Sequence, residues 1–409
     1  MEAGVVKPIG VLILALIVTT PAEAQQQPDK LTLAAALDLA ARQNLDLIAA
    51  RAQVAVAQAG VRIAGQRPNP TASVAVLRDS PHESLFFDQP VEIGGKRGRR
   101  IELAREEGSL TNLDIAALER QTRRSVREAF YELALARGVT AQKAGALKLS
   151  QQLQDIAKTR FDTGDIPQLE LIQADLEASR ANADLQVAQQ EEKVALSELN
   201  ALLNEPATKN WELEGQLDTF PARAPLDELI ARAGGSNPEL QRVAQEGKIE
   251  KGRENLLRAE RVPNLGVEFG VDFNAPRDFQ YGPRGQLSME LPIFTRNQGE
   301  IAQSLASQRA LESENAATRR AVGGRVEAAY FELDAREAEV DLYRRTLVPA
   351  ALRLESLAEE SYRAGKSNLL TVLDAQRNVQ QVQQDYLQSL FTAQSAFARL
   401  EEAVGAPLD

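Results

Sequence analysis

The sequence predicts a mainly α-helical chain with a small β part, laid out as a duplicated helix–strand–strand–long helix–helix plan. Three observations predict it. Residues 98–163 and 298–363 keep apolar residues at helical spacing for about 66 residues each, or ~100 Å at 1.5 Å per residue. Two short segments that alternate apolar and polar residues, the period of a strand, precede each stretch. The landmarks also recur in order, about 200 residues apart. Arg160-Phe161-Asp162-Thr163-Gly164 is answered by Ser361-Tyr362-Arg363-Ala364-Gly365, Ala129-Phe130-Tyr131-Glu132-Leu133 by Ala329-Tyr330-Phe331-Glu332-Leu333, and Asn44-Leu45-Asp46-Leu47 by Asn237-Pro238-Glu239-Leu240.

The chain opens with Lys7, an apolar run over 9–18 and the small-x-small site Ala22-Glu23-Ala24, which reads as a secretory signal peptide over 1–24. The run is about half of what a membrane-spanning helix needs. No cysteine follows it, so no lipid attachment is expected. The first repeat is placed at 25–205. Its leading helix, 33–65, ends before Pro68 and Pro70. Ala72, Val74 and Val76 alternate along a strand at 71–78, and 84–93 is its partner. The long helix over 98–163 stops at Gly164, and a return helix covers 168–203. Prolines gather in a linker at 206–235. The second repeat, 236–409, follows the same order: a helix at 238–260, strands at 264–274 and 286–294, a long helix at 298–363, and a final helix at 368–404. Pro349 is expected to kink the second long helix.

Lengths constrain how these parts combine. A return helix of about 36 residues spans ~54 Å, half the length of the long helix. The leading helix fills the other half, so two long helices and two end-to-end pairs make four side-by-side columns. The aromatics sit elsewhere: Phe86, Phe87, Phe269, Phe273, Phe279, Tyr281 and Phe294 fall in or beside the strands. A small sandwich with a Phe core would place them there, and so would a lipid-facing barrel with aromatic girdles. Four strands cannot close a barrel, since about eight is the minimum. Three copies would supply twelve.

Composition excludes much. Among 409 residues there are no cysteines, one histidine and two methionines. Disulfides, zinc centres, cysteine nucleophiles and thioether copper sites are therefore absent, no metal site or cofactor is expected, and the chain is not read as an enzyme. A net charge of −11 argues against a nucleic-acid partner.

The Tyr362-x-x-Gly365 turn, followed by Leu369-Leu370-x-Val372-Leu373-Asp374-Ala375-Gln376, resembles the TolC-type outer-membrane efflux channels. Gln89-Pro90-Val91-Glu92-Ile93-Gly94-Gly95-Lys96-Arg97 is similar to the cobalt-zinc-cadmium, or CzcC-like, branch. The resemblance implies a homotrimer, with a twelve-stranded β-barrel in the outer membrane and an α-helical barrel reaching through the periplasm. It implies two partners, a periplasmic adaptor protein and an inner-membrane, proton-driven RND pump. Gly164 and Gly365 would mark the turns where the adaptor docks; a reversing helix also needs the positive φ that glycine adopts without strain. Asp374 would line the pore constriction, three carboxylates facing one another across the axis. Tyr362 and Glu170 match positions that bond across neighbouring helices and hold the tip shut. Thr371 replaces a second acid of related channels, and Ser367 replaces an arginine, which removes one latch. Lys96, Arg97, Arg99 and Arg100 open a helix whose dipole they oppose, so they need an anionic neighbour, and outer-membrane lipid headgroups are a candidate.

Three functions remain open at this point: an efflux duct for divalent metal cations, the same duct serving a drug pump or type I secretion system, and a non-pore periplasmic coiled-coil scaffold. A scaffold gives no reason for four alternating strands rich in Phe.

Overall fold

The structure is a computed structural model that describes residues 29–78, 81–215, 217–221, 223–273 and 281–408. The signal peptide read at 1–24 and the aromatic Phe279 lie outside these residues.

Helix, two strands, long helix and return helix occur twice along the chain. The first set comprises α1 (Leu33–Gln43) and α2 (Leu45–Ala64), β2 (Thr71–Val76) and β3 (Glu83–Val91), α3 (Lys96–Asp162) and α4 (Gln168–Leu203). The second comprises α5 (Leu226–Ser236) and α6 (Pro238–Glu260), β5 (Leu265–Phe273) and β6 (Tyr281–Met289), α7 (Gln298–Leu342) continuing through a π-turn into α8 (Val348–Arg363), and α9 (Leu369–Val404). Columns stand side by side: α2 and α4 against α3, then α6 and α9 between α3 and the α7–α8 column.

The first leading helix is broken at Asn44 where the sequence predicts one unbroken run, and in the second repeat a further helix, α5, which the sequence reads as linker, precedes the predicted helix at 238–260. The break is an asparagine with two jobs. The Asn44 N–H closes α1 on the Ala40 carbonyl at 2.9 Å. Its Oδ1 accepts from Asp46 N and Leu47 N, capping α2, while Nδ2 donates to the Leu202 carbonyl at the end of α4, 3.0 Å away. Asn237 does the same in the second repeat: its N–H closes α5 on Ala233, Oδ1 caps α6 at Glu239 N, and Nδ2 donates to Ala403 O of α9 at 2.9 Å. Both side chains are buried, at 6% and 3% exposure. They join two half-length helices end to end into one column, satisfying backbone groups that helix ends leave open.

The core beside each joint is built from equivalent residues. Val126, Phe130 and Leu133 of α3 pack on Leu199 and Leu203 of α4. Val326, Ala329 and Leu333 of α7 pack on Phe397, Leu400 and Val404 of α9. The joints differ in their polar content. In the first, Asn200 accepts the Trp211 indole N–H at 2.6 Å. In the second, the buried Glu401 takes Arg123 at 3.0 Å and Arg127 at 3.2 Å, with Arg127 also 5.0 Å over the Phe397 ring.

The linker is more ordered than its prolines suggest. It holds β4 (Trp211–Glu214), paired in parallel with β1 (Asp29–Thr32), and then α5. Between them, Leu217 and Phe220 pack on Val340, Tyr386, Leu390 and Ala393. Gln394 donates to the carbonyls of Leu217 and Thr219, which pins this strap to α9. The second long helix passes through a π-turn, Tyr343–Leu347, just before Pro349. Proline brings no N–H to the carbonyl four residues back, and the wider turn is where the helix absorbs that gap.

The four strands form one antiparallel sheet in the order β2-β3-β5-β6. The fourth strand spans Tyr281–Met289, not 286–294, so Leu291, Ile293 and Phe294 lie beyond it and are exposed. Register separates two faces. Leu85, Phe87 and Val91 pair with Val271, Phe269 and Leu265, and Val267 pairs with Leu287, all on one face. Ser84, Asp88, Glu268, Asp272, Arg284 and Gln286 occupy the other. On that polar face Asp272 accepts from Ser84 Oγ at 2.7 Å and pairs with Arg284 at 3.0 Å. Among the described residues the edges β2 and β6 are unpaired.

One buried carboxylate stabilises the upper columns. Glu254 of α6 is met by Gln308 of α7, by Lys251 and by Arg258, and these hydrogen bonds hold its carboxyl down at about 2, against an ordinary 4.5. A depressed carboxyl contributes stability above its unfolded value that is lost as pH falls through the folded one. Unfolding free energy should therefore decline between about pH 4.5 and pH 2 in the wild type, and Glu254→Gln should remove that part of the decline; identical acid titrations would refute this. Asn237→Ala should cost about 2–4 kcal/mol in denaturant unfolding, from a lost cap and an orphaned buried carbonyl.

Candidate functional site

The end of the helical columns farthest from the sheet is where two hairpins reverse. Glycine makes both reversals. Gly164 has φ +81° and Gly365 has φ +69°, the left-handed region. Around each, the same pair of bonds closes the helix: Gly164 N–H to Phe161 O with Asp165 N–H to Arg160 O, and Gly365 N–H to Tyr362 O with Lys366 N–H to Ser361 O, all 2.8–2.9 Å. This is a Schellman closure. Among the described residues nothing would touch a Cβ at either glycine, so their requirement is one of backbone conformation and not of space.

The two hairpins share one core, in which Leu153, Ala157, Ile166 and Ala174 of the first meet Ala358, Tyr362, Leu369, Val372 and Leu373 of the second. Tyr362 is at its centre, 1% exposed. The Arg160 guanidinium lies 5.1 Å over its ring. Burial pushes the Tyr362 phenol up; Arg160 opposes this and Glu170 adds to it. The Tyr362 hydroxyl, Glu170 Oε2 and Ser367 Oγ are buried with no hydrogen-bond partner among the described residues. Buried polar atoms normally find partners, so three orphans where the two hairpins meet mark a surface with bonding capacity to spare.

Asp374 stands apart from that cluster, exposed in the second turn of α9. Arg377, one turn on, comes within 3.6 Å of it and also pairs with Glu177 of α4, which takes Arg180 at 3.1 Å as well. Arg377 lies outside the residues that the sequence motifs single out, although its i,i+3 spacing from Asp374 is the available signal. The link to Glu177 crosses helices and had no local signature. Thr371, where related channels carry a second acid, is occupied with capping: its N–H and its hydroxyl both bond Asn368 Oδ1, at 3.0 and 2.9 Å.

The basic cluster at the sheet–helix junction finds its anion within the chain. Gly94 and Gly95, with φ +77° and +75°, turn β3 into α3. Glu92 grips Arg100 through both carboxylate oxygens, which lowers the Glu92 pKa and raises that of Arg100. Arg100 and Arg97 also donate to the carbonyls of Ala64 and Gly65 that close α2, at 3.3 and 2.6 Å. Lys96 is buried and donates to Asn264 at 2.5 Å, and Arg99 pairs with Glu102 at 2.7 Å. Lys96 and Arg100 are thus committed to the protein. Only Arg97 and Arg99 are exposed.

The comparisons with known proteins agree with this geometry. The family model described as outer membrane efflux protein matches residues 36–205 and again 229–406. The chain is 28% identical to the cobalt-zinc-cadmium resistance protein CzcC of Cupriavidus metallidurans, over 92% of this chain and 90% of that protein. It is 27% identical to the pyoverdine export outer membrane protein OpmQ of Pseudomonas putida, over 90% and 84%. The crystal structure of CusC superposes with a TM-score of 0.74 at 18% identity, covering 92% of each chain. With a duplicated helical wall, one amphipathic sheet and a family match across both halves, the chain belongs to the outer membrane efflux protein family.

Proposed function

We propose that three copies of this chain form the outer-membrane exit duct of a tripartite efflux system that exports divalent heavy-metal cations, supplied by a periplasmic adaptor and a proton-driven inner-membrane RND pump. The observation that carries the reading is the open four-stranded sheet. One face is apolar from β2 to β6, the other polar apart from Phe86, and among the described residues both edges are free. An apolar outer face and a polar inner one suit a wall between lipid and water. Free edges at membrane depth demand closure, because lipid offers the backbone no hydrogen bonds.

The helical edges support the same assembly. On one side α2 exposes Leu45, Ile48, Val56 and Ile63, while α4 exposes Leu169, Ile172, Leu176, Val187 and Val194. On the other side the α7–α8 column exposes Phe331, Leu342, Leu352, Leu354 and Leu357. On α2 and α4 the spacings of three, four and seven among them are those of coiled-coil seams. By length and composition α2 could cross a membrane, and little of it is buried in one chain. Contact with the α7–α8 edge of a neighbouring copy would cover it instead. The glycine turns would then form the periplasmic tip where the adaptor docks, and Tyr362, Glu170 and Asp374 the constriction behind it. Arg97 and Arg99, exposed although each bonds within the chain, would meet outer-membrane headgroups.

Metal cargo is favoured by the near full-length match to CzcC. The ion would pass hydrated, since a chain with no cysteine and one histidine offers it little but carboxylates. Among the described residues no three potential ligands converge. A duct for an organic substrate is the second reading, and the match to OpmQ is what favours it. Deleting the gene in its native host should raise sensitivity to zinc, cobalt or cadmium; unchanged metal tolerance with accumulation of an organic substrate would select the second reading.

The mature protein should extract in detergent as an outer-membrane trimer, and a detergent-free monodisperse monomer would overturn the duct. Gly365→Val forces a β-branched residue to positive φ, a strain of about 1–2 kcal/mol at the turn. Metal efflux should fall while trimers still insert; wild-type resistance and adaptor cross-linking would place the functional end elsewhere. Arg377→Ala should strengthen cation preference in planar-bilayer conductance by unmasking Asp374, and Asp374→Asn should weaken it. Unchanged selectivity in both would remove Asp374 from the pore.

A further inference from the structure

We propose that the cavity at the α9–α6 joint is a binding site for a small organic carboxylate, held by the guanidinium of Arg120. The cavity encloses about 940 Å³ between α3, α6, α7 and α9, within the size range of small-molecule sites.

Its charges are paired off except for one. Arg325 holds Glu239 through both nitrogens, and Arg242 holds Asp114 at 2.8 Å. Arg399 holds Glu332 at 2.9 Å, and Arg124 holds Glu402 at 2.6 Å. Arg120 is the remainder. Its neighbour Glu119 is taken by Arg51 at 2.6 Å, and Glu401 across the wall is taken by Arg123 and Arg127. Arg120 is half-buried, with Nη1 cut off from solvent and without a hydrogen-bond partner among the described residues. Burial pushes its pKa below the ordinary value, with Glu119 opposing.

An unpaired guanidinium in a partly desolvated wall is costly, and a structure has little reason to keep it unless something completes it. The planar fork of arginine matches a carboxylate through two parallel hydrogen bonds, and Arg120 would turn its buried Nη1 from the wall into the cavity to make them. Leu113, Ala117, Leu118 and Ala328 supply apolar surface in a lining otherwise rich in paired charges. One free positive charge beside apolar surface suits a monoanion with an apolar body. A polyanion would meet the four acids already present. The inference is independent of what the duct exports.

The test is calorimetry on the full mature chain in detergent, titrated with benzoate, with its uncharged isostere benzamide, and with inorganic phosphate. Benzoate should bind saturably at one site per chain, and benzamide at least tenfold more weakly. Arg120→Met should lower benzoate affinity at least tenfold, while its Tm without ligand stays equal or rises because an unpaired charge has gone. Ala117→Phe, which narrows the cavity and leaves Arg120 in place, should also lower benzoate affinity at least tenfold and stands in for Arg120→Met if that variant does not fold. Equal binding of benzoate and benzamide, wild-type affinity in either variant, no saturable site, or phosphate binding more tightly than benzoate would each overturn the proposal.

Discussion

Four columns about as long as the long helices can be built from this chain only if two pairs of half-length helices behave as continuous rods. The joint in each rod is the constraint on which everything else rests. A helix end carries unsatisfied N–H and C=O groups, and these ends are pressed against α3 and α7, away from water. Asn44 and Asn237 meet the difficulty in the same way, capping the helix that starts and bonding a carbonyl of the helix that ends. Their neutral amides donate and accept at once, so one small side chain serves both ends without burying a charge.

With the joints fixed, the two repeats are free to differ beside them. The first encloses Asn200 with Trp211, and Lys209 covers the indole. The second encloses Glu401 with two arginines. A buried carboxylate between two guanidiniums is tolerable only while both partners remain, since removing one leaves a charge uncompensated. The second joint therefore carries more charge than the first, and it is also the joint beside which Arg120 is left over.

The two ends of the rods follow different rules. At the sheet end, glycines turn the chain and the arginines that follow are absorbed by Glu92 and by the carbonyls of α2, which locks strand to helix. At the hairpin end, glycines again turn the chain, but Tyr362, Glu170 and Ser367 keep unmet hydrogen-bonding capacity. One end is internally complete and the other is not. Incomplete bonding at an exposed tip is what an interface with another molecule requires.

The sequence by itself determined the helix lengths, the four strands, the duplication and the positive-φ turns at Gly164 and Gly365, because each is written in local periodicity or in one residue's conformational freedom. It also carried the position of Asp374, and Arg377 one turn away was readable by the same rule. The tertiary structure alone decided the rest. The split at Asn44 is invisible to periodicity, since apolar spacing continues across it and only the Leu202 carbonyl explains it. The fourth strand starts earlier than alternation suggests because its register is set by β5, and Gly282 and Gly285 hide the pattern. The pairing of Arg377 with Glu177, the capture of Arg100 by Glu92 and the isolation of Arg120 depend on which side chains approach across helices or turns. Such approaches are fixed by packing between distant segments, and a chain read in one dimension holds no distance between them.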